Sequence, residues 1–393
     1  PIGIRIGRTA ASSVLEVNPA TTMVNPRKMI WNTEFVNLNS PTNVSNVEVY
    51  EVLPRNGYGD TKFNGTLAFE SAVVAKGTGI KIQYTNSNTL AINEANGQHT
   101  PTDAAWFDTV AAAGGATKVT GLKMTRPGAF TPTDDLNVQV TMVPMNNQPG
   151  NVYEGRVSGK ATGLKASVGP EISSVEIVAS TLGDLLWIDN NKDGLQNAGE
   201  VGLAGKTITL TGTDDDGNVI AARTAVTTSQ GKYSFNRLAA GKYTVDFGLA
   251  ALKADDYTLA TPNVGEGSAD SAPSKTTGKA VATLTAASTK TDVDAGVQTA
   301  TKLTASIVAN PATGTYISEK DPLDYTLTIT NDGTKAFSKA VVDVTVDAGI
   351  QLLTPDLNQA DGTVKRVGQK ITYTGPLAKG ETKTIAFKGV TTT

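Results

Sequence analysis

Apolar and polar residues alternate along most of this chain, in short runs separated by turn residues. In "PLDYTLTIT", Leu323, Tyr325, Leu327 and Ile329 occupy alternate positions, and Val342, Val344 and Val346 do the same in "VVDVTVD". Ile371 with Tyr373, and Ile385 with Phe387, continue the pattern. A period of two places such a set on one face of a strand. The last hundred residues therefore predict an immunoglobulin-like sandwich of about seven strands. Further back, Ile208 and Leu210, Tyr233 and Phe235, and Tyr243, Val245 and Phe247 predict the same kind of element. Strand-like runs also fill the opening segment, in "KMIWNTEFVNL", "VSNVEVYEVLP", "LNVQVTMVPM" and "NVYEGRVSGKATG". One stretch there, residues 103–118, has the composition of a short helix. Helical periodicity is otherwise missing.

The expectation is an all-β chain of three tandem β-sandwich domains, immunoglobulin-like or Cna-B-like, in an elongated row. Their bounds fall at residues 1–178, 179–298 and 299–393, with "QTATKL" as a short linker before the last. A chain of 393 residues is too long for one core, in agreement with several domains. Thr, Gly, Ala, Asn and Val dominate, a sheet and turn composition.

Charge narrows the partners. Lys and Arg total 34 against 37 Asp and Glu, and neither sign runs in blocks. Nucleic acid and anionic membranes are therefore not expected as partners. The absence of cysteine removes disulfides, thiolate catalysis and cysteine-held metals. No run approaches the length of a membrane helix. The chain opens at Pro1 without a signal-like segment and reads as a mature or excised fragment. Its first residues, "PIGIRIG", alternate Ile2, Ile4 and Ile6 and predict a strand pairing inside the chain or with another copy.

The most specific chemistry lies in "WIDNNKDGLQNAGE", residues 187–200. Asp189, Asn191, Asp193, Gly194 and Glu200 fit the spacing D-x-[DN]-x-[DN]-G-x5-E of a calcium loop. Alternate acids on a curling loop aim inward, Gly194 allows the sharp turn, and calcium takes oxygen ligands at flexible geometry. The expected ligands are Asp189, Asn191, Asp193, the Leu195 carbonyl, Asn197 and Glu200, with Ca2+ as the only cofactor. Such loops ordinarily lie between helices, whereas both flanks here read as strands. Few apolar residues are expected where those strands meet, so the ion would replace a missing core and supply rigidity, not signalling.

The surrounding segment resembles an SdrD B-like domain, the calcium-binding relative of the Cna-B fold. The resemblance runs through Gly183, Asp184, Trp187, Asp189, Asn191, Asp193, Gly194, Gln196, Glu200 and Gly202. It resumes at Gly231, Tyr233, Phe235, Leu238, Gly241, Tyr243 and Val245. It implies a stalk module of a bacterial, mainly Gram-positive, surface protein. The family's late acid-rich segment is thinned here to "GEGSADSAPS". The outer segments resemble DUF11-type immunoglobulin-like repeats.

Other candidates have plainer readings. His99, the only histidine, lies in the polar "NGQHT" without a nucleophile motif. The pairs Asp134–Asp135 and Asp255–Asp256 read as solvated turns, since neighbours on a strand face opposite ways. "TDDDGN" reads as a hairpin turn, and Asp292 with Asp294 as possible contributors to another ion. No enzyme is expected. Three roles stand: a structural stalk or adhesin region at the extracellular bacterial surface, a subunit of a surface layer or filament, and an accessory region of a secreted enzyme. Partners would be copies of itself or other surface proteins.

Overall fold

The structure is a computed structural model and describes residues 3–39, 43–265, 269–299, 302–312, 318, 320–333, 336–353 and 363–392. Pro1 and Ile2 of the opening strand, Glu266, Gly267 and Ser268 of the thinned segment, and Ala300 and Thr301 of the linker lie outside them.

Strands pack as three successive β-sandwiches, each around its own apolar core. The accessible surface, 19353 Å², exceeds the roughly 14,600 Å² of one compact globule of this mass, as separate cores require.

In the first sandwich, one sheet orders Ile4–Ala10, Met29–Asn37, Asp135–Met145 and Thr66–Lys76. The other runs Val14–Glu16, Val168–Val178, Val152–Thr162, Ser45–Val52, Gly121–Ala129 and Lys81–Thr85. Met29, Trp31 and Phe35 point inward on alternate positions, as the pattern requires. The opening apolar strand pairs inside the chain, Ile6 opposite Phe35. Arg8 on that strand reaches across the core to Glu51 at 3.1 Å, both side chains fully buried, and its guanidinium stacks over Trp31. Gly155 clears the space: a Cβ there would lie 2.3 Å from Arg8 Nη2. Residues 103–118 form turns and a β-bridge at Phe107, not a helix. Two glycines, Gly114 and Gly115, take left-handed backbone there and break the helical register.

The last sandwich has seven described strands. One sheet orders Leu303–Asn310, Pro322–Asn331, Thr382–Thr391 and Ile350–Leu352, and the other Phe337–Thr345, Lys370–Leu377 and Val364–Val367.

In the middle sandwich, one sheet runs Lys232–Leu238, Ser180–Ile188, Ala295–Thr299 and Tyr257–Leu259, with Thr289–Lys290 also pairing Ser180–Ile188. The facing sheet runs Val219–Val226, Thr207–Asp214, Gly241–Asp246 and Lys279–Leu284. Among the described residues the one α-helix is Leu249–Ala254, which buries Leu252 and which no sequence pattern indicated. The first and last strands of this domain are parallel neighbours: Leu186 opposes Ala295, Trp187 Gly296, and Ile188 Val297.

The expectation of a weak core beside the acidic loop fails. Leu182, Leu186, Trp187, Ala295 and Val297 are fully buried. The strands look poor in apolar residues because Gly296 and Ala295 are small, and that smallness is what seats the indole. A Cβ on Gly296 would lie 2.8 Å from Trp187 Cζ2. Asp292 and Asp294 do not share a site either. Asp292 pairs with Lys290 at 2.9 Å, whereas Asp294 is buried and accepts the Leu185 amide at 2.9 Å.

"TDDDGN" is a hairpin turn, and its acids join the first sandwich to the middle one. Arg27 contacts Asp216 at 2.9 Å, Asp214 at 3.2 Å and Glu16 at 3.6 Å, with Asp214 wholly buried. Asn25 and Asn218 exchange backbone and side-chain bonds at 2.8 and 2.9 Å. The Ala240 amide donates to Glu16 Oε1 at 2.7 Å, and Arg237 Nη2 donates to Asn147 O at 2.7 Å.

Two predictions follow from burial. Arg27→Ala strands Asp214 without its cation, a loss of about 3–5 kcal/mol for a buried pair broken on one side. Calorimetry is expected to resolve the first and middle sandwiches into separate transitions in the variant; a single unshifted transition would show that Arg27 does not couple them. The second concerns Asp294, whose Oδ2 is buried with no hydrogen-bond partner. Burial first, then the charges of Asp184, Asp292 and Asp270, push its carboxyl up to about 8 against the pull of the Leu185 amide. A raised folded pKa means the folded state keeps a proton the unfolded chain has lost. The stabilisation is complete below the ordinary carboxylate range, about 4, and is lost as pH rises toward about 8, on the order of a few kcal/mol. Asp294→Asn should raise the middle domain's melting temperature at pH 8 and flatten its decline between pH 5 and 8. A decline of unchanged slope would contradict the assignment.

Candidate functional site

Asp189 is the hinge of the acidic loop. It directly follows strand Ser180–Ile188, and its backbone amide donates to Val297 O at 2.8 Å, extending the parallel pairing by one step. Its side chain is therefore held at the strand end and is 1% exposed. Oδ2 accepts the Gly194 amide at 3.0 Å and the Gln298 Nε2 amide at 2.8 Å. Oδ1 is buried and has no hydrogen-bond partner.

The remaining loop folds on itself through its own short polar side chains, the local chemistry that favours turns over strands. Asn191 Oδ1 accepts the Asp193 amide at 3.1 Å, and Asp193 Oδ1 accepts the Leu195 amide at 2.8 Å. Asp193 Oδ2 receives the side-chain amides of Asn197 at 2.7 Å and Asn191 at 2.8 Å. Glu200 spans the loop mouth: Oε1 accepts Asn190 N at 2.8 Å and Oε2 accepts Asn197 N at 2.9 Å. The Leu195 amide, and then the Asn197 and Asn191 amides, hold the Asp193 carboxyl below its ordinary range.

Two backbone constraints fix the path. Lys192 and Gly194 take left-handed backbone at φ 64 and 82. A Cβ at Gly194 would also meet Val264 Cγ2 at 2.8 Å and Thr261 O at 2.9 Å. The loop thus packs against Thr261 and Val264 and against Ala269 and Asp270, where Gln196 N donates to Ala269 O at 2.7 Å and Leu195 bridges Asp270.

All six expected residues, Asp189, Asn191, Asp193, Leu195, Asn197 and Glu200, fall in this one loop; hydrogen bonds link Asn191, Asp193, Leu195, Asn197 and Glu200 to one another, whereas Asp189 joins the loop through the Gly194 amide. Among the described residues, no three His, Cys, Asp or Glu side chains are already drawn together as a metal cage. The donor set is nonetheless oxygen-rich: three carboxylates, two side-chain amides and a carbonyl. Each carboxylate oxygen that accepts one amide keeps a further lone pair. Gln298 was not indicated by the sequence pattern. It lies 109 residues from Asp189 and meets it only through the parallel pairing.

The other candidates read from the sequence are held in ordinary contacts. His99 lies flat on Tyr50, ring centroids 3.7 Å apart. Burial first, then Lys160 and Lys123 against Glu48, lowers its pKa, and no Ser–His–Asp arrangement forms around it among the described residues. Asp134 accepts from the Thr131 amide at 2.7 Å and pairs with Arg126, while Asp135 pairs with Lys76. Among the described residues, no helix is long and apolar enough to cross a membrane.

The chain is a row of β-sandwiches with one acidic loop, and its middle segment matches a known family: residues 180–297 fit the SdrD B-like domain. A stretch of 66 residues is 46% identical to serine-aspartate repeat-containing protein D of Staphylococcus aureus (strain Newman), covering 17% of this chain and 5% of that protein. A stretch of 85 residues is 39% identical to serine-aspartate repeat-containing protein F of Staphylococcus epidermidis (strain ATCC 12228), covering 22% and 5%. The chain thus spans about a twentieth of the length of these curated relatives. Among solved structures, it is similar to the major pilin subunit BcpA of Bacillus cereus, at a TM-score of 0.34 and 10% identity over 75% of this chain and 68% of that one. It is also similar to the group B streptococcus pilus 2b backbone protein, at 0.35 and 13% over 75% and 98%.

The loop geometry predicts an asymmetry between its glycines. Gly194→Ala combines strained backbone with a blocked Cβ and is expected to destabilise the middle domain by about 1–3 kcal/mol. Gly199→Ala, at φ 93 with open space around the Cβ, carries only the backbone term. Denaturant melts of the two variants separate these effects, and equal losses would place Gly194 in a looser loop than described.

Proposed function

We propose that the chain is a non-enzymatic structural stalk or adhesin region of an extracellular bacterial surface protein, stiffened by calcium at residues 189–200. The observation that carries the reading is the buried Oδ1 of Asp189, left without a hydrogen-bond partner at the head of an oxygen-rich loop. A buried carboxylate oxygen without a partner is unfavourable by several kcal/mol, and a hard cation removes that penalty. Calcium accepts about six to eight oxygens at flexible geometry, which suits carboxylates and carbonyls better than the stricter octahedron of magnesium. Asp189, Asn191, Asp193, Asn197 and Glu200 would hold it through their side chains and Leu195 through its carbonyl.

The surface assignment rests on the likeness of residues 180–297 to SdrD B-like domains. The outer sandwiches fit the same setting as DUF11-type repeats, with other surface proteins or further copies of this chain as neighbours. The loop stands where the chain leaves the middle sandwich, beside Val297 and Gln298. An ion there ties the outgoing strand to Asp189, so stiffening is its role.

Binding to the folded state alone adds roughly 2.7 kcal/mol when the ion is at 100 times its Kd. EGTA is therefore expected to lower the melting temperature of the middle sandwich and to increase proteolysis within residues 187–202. Glu200→Gln or Asp189→Ala should reproduce both effects in calcium buffer and leave the outer sandwiches folded. If chelation and Glu200→Gln both leave melting and cleavage unchanged, the loop is only a turn.

A further inference from the structure

The joint between the first and middle sandwiches frames a cavity of about 610 Å³. Its lining is mainly apolar, with Met23 and Val24 from the first sandwich and Val219 and Ile220 from the middle one. The cavity lies beside Val219–Val226 and Lys232–Leu238, each the outermost strand of its sheet. Among the described residues no further strand pairs with the outer edge of either.

Two guanidiniums stand in this wall. Arg223 donates from Nη1 to Asn236 O at 2.7 Å. Arg237 uses Nη2 on Asn147 O, Asn146 Oδ1 and Pro19 O, while its Nε is buried with no hydrogen-bond partner. Burial lowers the pKa of both, the charge of Arg237 lowers that of Arg223 further, and no carboxylate acts on either among the described residues. Arg237 also sits in left-handed backbone at φ 55, an uncommon and strained conformation for a long side chain. Elsewhere at this joint the cation has its acids, as Arg27 has Asp214, Asp216 and Glu16. Arg223 and Arg237 have none.

We propose that this cavity binds an amphiphile: an extended apolar body bearing one carboxylate, the head group held by Arg223 and Arg237 and the body lying on Met23, Val24, Val219 and Ile220. The volume is that of a small-molecule pocket, and the guanidinium fork matches a carboxylate in shape and charge. A neutral apolar ligand leaves the repulsion between the arginines in place. A small hydrophilic anion leaves the apolar wall in water. Only the two chemistries joined in one molecule answer both halves of the wall.

Isothermal titration of the full chain with decanoate, below its micelle concentration, tests the proposal, with decanol and acetate as comparison probes. One saturable decanoate site per chain is expected, with decanol weaker by about tenfold or more, a difference of at least about 1.4 kcal/mol, and acetate not binding measurably. Arg223→Gln should reduce decanoate binding to the level of decanol and leave decanol unchanged, and Arg223→Lys should restore part of the difference. Ile220→Trp, which fills the cavity, should abolish binding of both. A thermal melt of each variant distinguishes lost binding from lost folding, and the comparison of the three probes on the unaltered chain stands independently of any variant. Equal binding of decanoate and decanol, uptake without saturation, or undiminished binding in folded Arg223→Gln or Ile220→Trp overturns the proposal.

Discussion

The parallel pairing of the first and last strands of the middle sandwich governs most of what surrounds it. Ser180–Ile188 and Ala295–Thr299 run side by side in the same direction. Parallel neighbours place the incoming and outgoing ends of a domain at opposite poles, because each strand starts at one pole and finishes at the other. The chain therefore enters at Ser180, beside Leu238 and the first sandwich, and leaves past Val297 toward the last. A tandem row needs that polarity, whereas antiparallel terminal strands would turn the chain back on itself. The indole of Trp187 against Gly296 is what the pairing is built around.

The two poles use different chemistry for the same electrostatic problem. At the incoming pole, Glu16, Asp214 and Asp216 converge and Arg27 supplies the cation from within the chain. At the outgoing pole, Asp189, Asp193 and Glu200 share one loop, and the groups that meet them are neutral amides. Amides orient a carboxylate without cancelling its charge. The first arrangement is complete within the folded chain, whereas under the proposed calcium reading the second would respond to the ions around it.

Local chemistry was legible in the sequence, and distant pairing was not. The loop could be read because its acids, its glycine and its turn-forming side chains lie within twelve residues, and its turns are closed by neighbours two to five positions away. Strands could be read because period two survives in a sandwich with one wet face. The weak core expected beside the loop was an error of the same origin. Counting large apolar residues along Ala295–Thr299 misses that its small ones seat a tryptophan 109 residues away. Arg27 with Asp214 joins positions 187 apart, and "TDDDGN" looks like any hairpin turn until the first sandwich docks on it. The helix Leu249–Ala254 is too short to register a period, and the glycines that abolish the helix expected within 103–118 act through backbone conformation alone.

Asp189 connects the two scales. Its backbone belongs to the strand pair through Val297, and its side chain belongs to the loop through Gly194. A ligand held only by Asn191, Asp193 and Asn197 would order an exposed turn and nothing more, since those side chains bond only within the loop. A ligand that also engages the buried Oδ1 pulls on the strand end, on Gln298 and, through the register, on Trp187. Its binding energy is then available to the domain as a whole, because opening the loop without opening the strand pair would leave the same oxygen stranded. Burial of one carboxylate, rather than the number of acids nearby, decides whether this loop is decoration or part of the fold.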